Sequence, residues 1–181
     1  MHVAGLQPSD AQRYRALMLQ AYELAADAFT STAEERAAEP ESYWVKRIGA
    51  TSGVSAAFGA FEGQELIGTV ALEFSAKPKT RHKALIIGMY VAPAARGTGA
   101  GRALLGAAVE YAKAKEGVRV LTLTVTEGNE PAINLYSAAG FQAFGVEPMA
   151  ILTPSGFKGK VHMWLPLVPA ATAASQETPS K

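Results

Sequence analysis

The sequence predicts one α/β domain built on a mixed, mainly antiparallel sheet with helices on both faces. The strand-like run 84–91 leads through a glycine-rich turn into a helix, and a β-branched strand follows at 118–126. A strand, a helix and a strand in that order favour a parallel pair. Glu62-Gly63-Gln64 is a hairpin signal, so the two strands that flank it are expected to be antiparallel. With 181 residues the chain is long enough for one domain with a sizeable core.

Composition excludes several classes of protein. The net charge is +1 and charged residues make up 18% of the chain, which gives no basic field for a nucleic acid or a membrane surface. There is no cysteine, so disulfides, thiolate metal sites and a cysteine nucleophile are excluded. The histidines are widely spaced, and we expect no metal. No apolar stretch is long enough to span a bilayer and no signal-peptide pattern opens the chain, which predicts a cytoplasmic protein.

In the first half of the chain, apolar residues recur at helical spacing over 10–29, which predicts one helix there. Thr32 and Glu35 have the spacing of a capping box, and Pro40 suits the first turn of a helix that carries Tyr43, Trp44 and Ile48. Three strands follow, and the polar, basic stretch 76–83 is expected to be a loop. The predicted strands are 55–63, 64–75 and 83–93.

In the second half, a helix is predicted over 102–115 and a buried strand over 118–126. Asn129 is a suitable N-cap for a further helix, with Pro131 in its first turn and Gly140 just after its end. The remaining elements are strands 141–145 and 160–165, a domain ending at 167, and a disordered tail over 168–181.

The glycine-rich turn is expected to bind an anion. Glycine permits positive φ and close approach of a ligand, and the N–H groups that open the following helix are free. A phosphate is therefore favoured, but an unoccupied turn is equally compatible. No GxxxxGK[ST] motif occurs, and GxGxxG fails in both registers because Arg102 or Leu104 stands in its third place. Glu127 imitates the ribose-binding acid of dinucleotide folds, so a nucleotide-binding oxidoreductase remains an alternative.

A third pattern does match. Arg96-x-x-Gly99-x-Gly101 has the form R/Q-x-x-G-x-G/A, and "NEPAINLYSAAGF" follows about one helix and one strand later. In these two motifs the chain resembles the GNAT superfamily of acyl-CoA-dependent N-acyltransferases. The resemblance is strong from about 58 to 145 and extends plausibly over 1–167.

The resemblance implies that acetyl-CoA is the acyl donor and that the turn holds its pyrophosphate. It also implies that strand 84–91 splays from strand 118–125, and that pantetheine pairs with the exposed strand edge. Three of the implied cofactor-binding residues have structural alternatives. Capping of the helix explains Asn129 almost as well, a position on a solvated helix face explains Asn134, and packing within the strand explains Tyr90. The implied cofactor-binding residues are Met89, Tyr90, Val91, Arg96, Gly97, Thr98, Gly99, Ala100, Gly101, Arg102, Asn129 and Asn134.

Amide formation from a thioester requires a neutral amine and a proton for the departing thiolate. Tyr136 occupies the tyrosine position of the family motif and is the candidate general acid, with a role as a core aromatic as the alternative. Many family members carry a glutamate on the strand equivalent to 84–91, but "ALIIGMYV" has no acid. Glu73 is the best substitute for the base and His82 the second, although a loop residue explains His82 equally well.

Glu147 and His162 are further candidate bases that the sequence does not rank, and an amine of low pKa needs no dedicated base. The acceptor pocket is expected from the first two helices, the loop 75–83 and the segment 146–160. The basic loop would suit a carboxylate-bearing amine, although a solvated loop is the more common explanation.

The sequence thus predicts an N-acetyltransferase that moves an acetyl group from acetyl-CoA to a small-molecule or peptide amine by direct attack. No nucleic acid or membrane partner is expected, and the protein is expected to be a monomer or homodimer. A non-catalytic acyl-CoA-binding sensor is the alternative from a different class, favoured by the missing strand carboxylate and disfavoured by the presence of Tyr136.

Overall fold

Seven strands form one sheet in the computed structural model, which describes residues 1–49 and 53–167. In chain order they are β1 (His2–Gly5), β2 (Ser55–Glu62), β3 (Glu65–Phe74), β4 (Lys83–Val91), β5 (Val120–Thr126), β6 (Gln142–Thr153) and β7 (Gly156–Pro166). Their order across the sheet is β1-β2-β3-β4-β5-β7-β6. Every neighbouring pair is antiparallel except β4 and β5, which are parallel. The predicted mixed, mainly antiparallel sheet is confirmed. The tail predicted over 168–181 lies outside the described residues.

Helices cover both faces of this sheet, as predicted. They are α1 (Ala11–Leu24), α2 (Ala33–Ala37), α3 (Glu41–Ile48), α4 (Ala100–Ala114) and α5 (Glu130–Ala138). Side chains of a strand alternate between faces, and β3 shows this clearly. Val70 and Leu72 pack in the core beneath α4 and α5, whereas Ala71 packs in the core beneath α1 and α3.

The parallel pair is short, and the two strands then separate. β4 pairs with β5 only from Lys83 to Leu85, opposite Val120 to Thr122. Beyond this point β5 continues to pair with β7 as far as Thr126. The edge of β4 from Ile86 onward therefore faces an open gap, which confirms the predicted splay.

A bulge in β4 lies at this opening. The register with β3 shifts between Thr69 and Ala71, and Gly88 stands there with φ of +58°. A bulge inserts an extra residue and bends its strand. The bulge thus lies just beyond the point where the pairing of β4 with β5 ends.

The first helix is shorter than predicted. α1 ends at Leu24, and a short 3-10 turn over Ala26–Ala28 follows. Tertiary contacts explain the early end. The Phe29 ring packs edge-on against the Tyr22 ring with 5.0 Å between the ring centroids. The Thr126 hydroxyl donates to the Asp27 carbonyl at 2.6 Å. These contacts hold the chain across the mouth of the gap, where a continued helix would point away.

The predicted capping box is present, but the helix it opens is only five residues long. Thr32 accepts from the Glu35 N–H at 3.1 Å, and Glu35 accepts from the Thr32 N–H at 2.7 Å. Pro40 is the N-cap of α3 rather than a residue of its first turn.

The last two strands form a longer hairpin than the predicted 141–145 and 160–165. β6 and β7 extend through the segment that the sequence left without regular structure. The sequence pattern was broken because Pro148 and Met149 (φ +51°) lie where the register between β6 and β7 shifts. The strand β1 was not predicted at all, and it adds a short edge beside β2.

Candidate active site

A cavity of about 310 Å³ fills the splay between β4 and β5. It passes from α3 on one face of the sheet to α5 on the other. The cavity brings together three of the residues that the sequence singled out for the site, Met89, Asn129 and Tyr136, and one unranked candidate base, Glu147. The full lining is Ala28, Phe29, Thr30, Arg47, Ile86, Ile87, Gly88, Met89, Thr124, Val125, Thr126, Asn129, Ala132, Leu135, Tyr136, Glu147 and Lys160.

Tyr136 reaches the cavity from α5 and is largely enclosed. Its side chain is 6% exposed, and its ring packs edge-on against Phe141 with 5.9 Å between the ring centroids. Burial disfavours the phenolate and raises the pKa of Tyr136 to about 12. The phenol therefore holds its proton at any ordinary pH, and it packs in the core and contributes to the cavity wall at the same time.

Asn129 also has two roles. Its Oδ1 accepts from the Ala132 N–H at 3.4 Å, which caps α5, and its side chain lines the cavity. Asn134, by contrast, is exposed on α5 and is not among the lining residues.

The last three residues of β4 make contacts in three different directions. Met89 lines the cavity. The Tyr90 side chain packs beneath α1, where its hydroxyl donates to Gln20 Oε1 at 3.4 Å. The Val91 carbonyl accepts from Arg96 Nε at 3.2 Å, which ties the end of β4 to the following turn.

The glycine-rich turn leaves an open surface at the start of α4. Gly97 and Gly99 have φ of +79° and +89°, and no atom lies within 4 Å of where a Cβ would stand on either residue. The Thr98 hydroxyl donates to the Ala95 carbonyl at 2.7 Å and so stiffens the turn. Helix geometry leaves the first N–H groups of α4 without intrahelical acceptors, and Arg102 is exposed beside them. A pyrophosphate fits this chemistry.

The beginning of α4 packs closely against the cavity walls. A Cβ on Gly101 would lie 3.4 Å from Leu135 Cδ2 and 3.6 Å from Met89 Cε. Ala100 is buried beneath the turn at 1% exposure. These small residues allow the turn to lie directly beside the gap between β4 and β5.

The titratable groups on the other wall of the cavity come from the β6–β7 hairpin. Glu147 Oε2 lies 3.2 Å from His162 Nε2. Lys160 is 8% exposed, and its burial lowers the pKa of its ammonium group, an effect that the nearby Glu147 opposes. The structure thus places the Glu147 carboxylate in the lining that it shares with Tyr136, whereas its partner His162 lies outside that lining.

The two candidate bases favoured by the sequence lie elsewhere. Glu73 is half exposed and lines a neighbouring surface pocket, and its Oε1 is 3.9 Å from Arg47 Nη1. His82 is exposed just before β4, beyond the paired end of the splay, and it does not line the cavity. Its carbonyl accepts from the N–H groups of Arg119 and Val120.

Sequence reasoning missed Arg47 and Lys160, and it left Glu147 unranked. A signal for Arg47 was present, because it lies on the helical stripe of Tyr43, Trp44 and Ile48, where a charged residue is unusual. Lys160 and Glu147 gave no such signal, because β-hairpin register decides which residues face the cavity.

Neither a membrane-spanning helix nor a metal-binding cluster is found within residues 1–49 and 53–167. In this part of the chain, no helix is long and apolar enough to cross a membrane. Within the same ranges, no group of three or more histidine, aspartate or glutamate side chains is arranged to hold a metal ion.

The family model described as "Acetyltransferase (GNAT) family" matches residues 18–141, which is more than half of the chain. The protein therefore belongs to the GNAT acetyltransferase family. The match includes the glycine-rich turn, both splayed strands and Tyr136. A search of curated proteins finds no match.

Solved structures of the same fold cover nearly the whole chain. An acetyltransferase of the GNAT family from Streptococcus pneumoniae is 24% identical with a TM-score of 0.76, over 91% of this chain and 98% of that one. A ribosomal-protein-alanine N-acetyltransferase from Brucella melitensis is 22% identical with a TM-score of 0.76, over 92% and 99%. The acetyltransferase yncA from Salmonella typhimurium, solved with acetyl-CoA, is 18% identical with a TM-score of 0.77, over 99% and 98%.

Proposed function

We propose that this protein is an N-acetyltransferase that transfers the acetyl group of acetyl-CoA to a primary amine by direct attack. The observation that carries the proposal is the cavity in the splay of β4 and β5. Its walls at Met89 and Leu135 lie beside Gly101 at the start of α4. The cavity runs along a free strand edge and is lined by a protonated phenol and a carboxylate. The acetyl-CoA bound to the similar yncA structure supports the same donor here.

The donor would be held mainly by backbone groups. The N–H groups from Gly97 to Arg102 would bind the pyrophosphate, because helix N-termini attract anions. The free edge of β4 at Met89 and Val91 would pair with pantetheine as an added strand. Bound acetyl-CoA supplies an activated acetyl thioester, and the residues around the cavity orient it and move protons.

Tyr136 is the proposed general acid. Its phenol remains protonated because burial raises its pKa to about 12, and it would give that proton to the sulfur of the departing coenzyme A. The absence of cysteine from the chain excludes a cysteinyl acyl-enzyme, which favours direct attack, in which the amine nitrogen forms the new bond to the acetyl carbon.

Glu147 is the proposed group that takes a proton from the amine. It lines the cavity that Tyr136 lines, and its contact with His162 offers a route for the proton to the surface. Glu73 is the weaker candidate because it lies outside the cavity, and His82 is weaker still because it lies beyond the closed end of the splay.

Turnover decides between the enzyme and the sensor. Primary amines of different classes are incubated with the protein and acetyl-CoA, and release of free thiol is followed. Amine-dependent thiol release, with the acetylated amine found by mass spectrometry, supports the proposal. Tight binding of acetyl-CoA with no release for any amine would favour the sensor, and no binding would contradict both functions.

We further propose that the enzyme works in the cytoplasm as a monomer or homodimer. Tyr136 and Glu147, the residues proposed for the chemistry, line the same cavity, which is compatible with either state.

A further inference from the structure

We propose that Arg47 binds a carboxylate of the acceptor, so that the acceptor is a small amino acid rather than a peptide or protein amine. This inference rests on the proposed acetyltransferase function and names its substrate class. It begins from a cation that the fold places in the cavity without an adequate partner.

Arg47 enters the cavity from α3 and is mostly enclosed. Its side chain is 19% exposed, and its Nε is buried with no acceptor among the described residues. The nearest described carboxylate is that of Glu73, at 3.9 Å, and that side chain is half exposed. A contact this long with a solvated carboxylate satisfies a guanidinium poorly.

Two tyrosine hydroxyls near Arg47 are likewise buried without a hydrogen-bond partner in the described part of the chain. The hydroxyls of Tyr14 and Tyr43 are buried, and neither has a hydrogen-bond partner among the described residues. Burial raises the pKa of Tyr14 to about 12, so this phenol keeps its proton and can donate it to a hydrogen bond. Buried donors without acceptors are costly and are rare in folded proteins. Tyr43 lines the neighbouring surface pocket, whereas the Tyr14 hydroxyl lies 3.6 Å from where a Cβ on the cavity-lining residue Gly88 would stand. Tyr14 is therefore the hydroxyl that an acceptor group bound in the cavity would satisfy.

A carboxylate is the group that fits this set of donors. The planar guanidinium matches the two carboxylate oxygens in a paired geometry, and phenol hydroxyls can donate to the remaining lone pairs.

The charges of the cavity fit both ends of an amino acid. Arg47 and Lys160 are the cations of the lining, and Glu147 is its carboxylate. An ammonium group would lie near Glu147, where the proposed reaction removes its proton, and the carboxylate near Arg47. The two cations and one carboxylate of the lining give a net charge of +1; a zwitterionic amino acid leaves this charge unchanged, whereas a protonated monoamine would raise it to +2.

The size of the cavity limits the acceptor further. A volume of about 310 Å³ must hold the thioester end of the donor as well as the acceptor. This volume is at the small end of ligand pockets. A carboxylate only a few bonds from the amine is present in free amino acids and absent from a peptide N-terminus or a lysine side chain in a protein.

Matched substrates test the inference. Free amino acids are compared with their amides and with the corresponding decarboxylated amines in the thiol-release assay. We expect turnover to be confined to the carboxylates. In Arg47→Gln, kcat/KM for the best amino acid should fall on the order of 100-fold, because the partner of a buried charge is removed. Arg47→Lys, which keeps the charge but loses the paired geometry, should fall by less.

Lys46→Gln is the control. Lys46 is the residue before Arg47 on α3 and is exposed. The substitution removes the same charge as Arg47→Gln, so kcat/KM of this variant should stay within about twofold of wild type. Equal turnover of amides and amino acids by the wild type would overturn the carboxylate inference and leave the acetyltransferase function intact. Failure to bind acetyl-CoA would instead contradict the proposed function.

Binding provides a readout that does not depend on turnover. N-acetyl amino acids and their amides are titrated into the protein with coenzyme A and followed by calorimetry. We expect only the carboxylates to bind, and we expect Arg47→Gln and Arg47→Lys to weaken this binding while coenzyme A affinity is unchanged. Binding of amides as tight as that of carboxylates, or carboxylate binding undiminished in folded Arg47→Lys, would overturn the inference.

Discussion

At the scale of single residues, kinetics decides whether Tyr136 is the general acid. Its ring packs in the core whether or not its hydroxyl gives a proton to the leaving group. Tyr136→Phe keeps the ring against Phe141 and removes only the proton donor. We expect kcat to fall by about 10² to 10⁴, the usual contribution of general acid catalysis. The Michaelis constant for acetyl-CoA should change little. Steady-state kinetics with the best amine measures both values.

A core-aromatic role predicts the opposite pattern for Tyr136→Phe. Stability would then change while kcat stayed near the wild-type value. A folded variant that keeps more than half of the wild-type kcat, with chemistry rate-limiting, would remove Tyr136 from the mechanism.

The proton acceptor is also tested residue by residue, with Glu147 and Glu73 as a matched pair. Both carboxylates are more than half exposed and both lie near basic side chains, but only Glu147 lines the cavity. We expect Glu147→Gln to lower kcat by about 10² or more and Glu73→Gln to change it by less than about threefold. Equal losses, or a larger loss for Glu73→Gln, would return the role to β3.

The residues proposed for the donor side belong to local sequence motifs, whereas those proposed for the acceptor side do not. Gly99, Asn129 and Tyr136 belong to local motifs whose spacing fixes a turn, a cap and a helix face. Arg47 and Glu147 come from α3 and β6, which share the cavity only because β4 and β5 separate. Such a meeting depends on tertiary structure, and no local pattern encodes it.

At the scale of elements, the turn before α4 has a conformation that a side chain would disturb. Gly99 is the N-cap of α4 with φ of +89°. In Gly99→Val a β-branched side chain is forced into this region or moves the turn, and it lies where a phosphate must approach. We expect the dissociation constant for acetyl-CoA to rise at least about tenfold, measured by calorimetry.

Gly117→Val is a close control for the strain itself. Gly117 has φ of +82°, and no atom lies within 4 Å of where its Cβ would stand, but it follows α4 instead of preceding it. Both variants should lose stability by about 1–2 kcal/mol, and only Gly99→Val should lose acetyl-CoA affinity. Unchanged affinity in folded Gly99→Val would show that the turn does not hold the donor.

Most elements were predicted correctly in kind, and the errors have tertiary causes. The helix over 10–29 was predicted too long because contacts of Asp27 and Phe29, invisible in local periodicity, end it. The hairpin β6–β7 was predicted too short because Pro148 breaks the alternation, while a register shift lets pairing resume beyond it. The strand β1 is four residues long and is held by β2, so its own sequence carries little signal.

At the scale of the whole molecule, the donor should stabilise the fold by completing it. A ligand that binds only the folded state at about 100 times its dissociation constant adds about 2.7 kcal/mol. For a domain of this size we expect acetyl-CoA to raise the melting temperature by about 5–10 °C. NAD and ATP at equal concentrations serve as controls. A shift with NAD and none with acetyl-CoA would contradict the assignment of the donor.

Hydrogen exchange locates the same effect within the sheet. Amides of β4 over 86–91 should gain protection when acetyl-CoA binds, whereas amides over 83–85, which already lie in the parallel pair, should change little. Uniform protection across the protein would indicate general stabilisation instead of an added strand.

The short, three-residue pairing of β4 with β5 also bears on how the two sides of the sheet can rotate relative to each other. On one side of this pairing lie β1 to β4, with α4 packed on β2, β3 and β4; on the other side lie β5 to β7. The unpaired part of β4 runs for six residues, or about 20 Å at the usual strand rise. A rotation of about 5° at the paired end therefore displaces the far end by about 2 Å. Such a rotation would widen the mouth of the cavity by more than the radius of a water molecule, and the hydrogen bond from Thr126 to the Asp27 carbonyl across that mouth is a contact that it would strain.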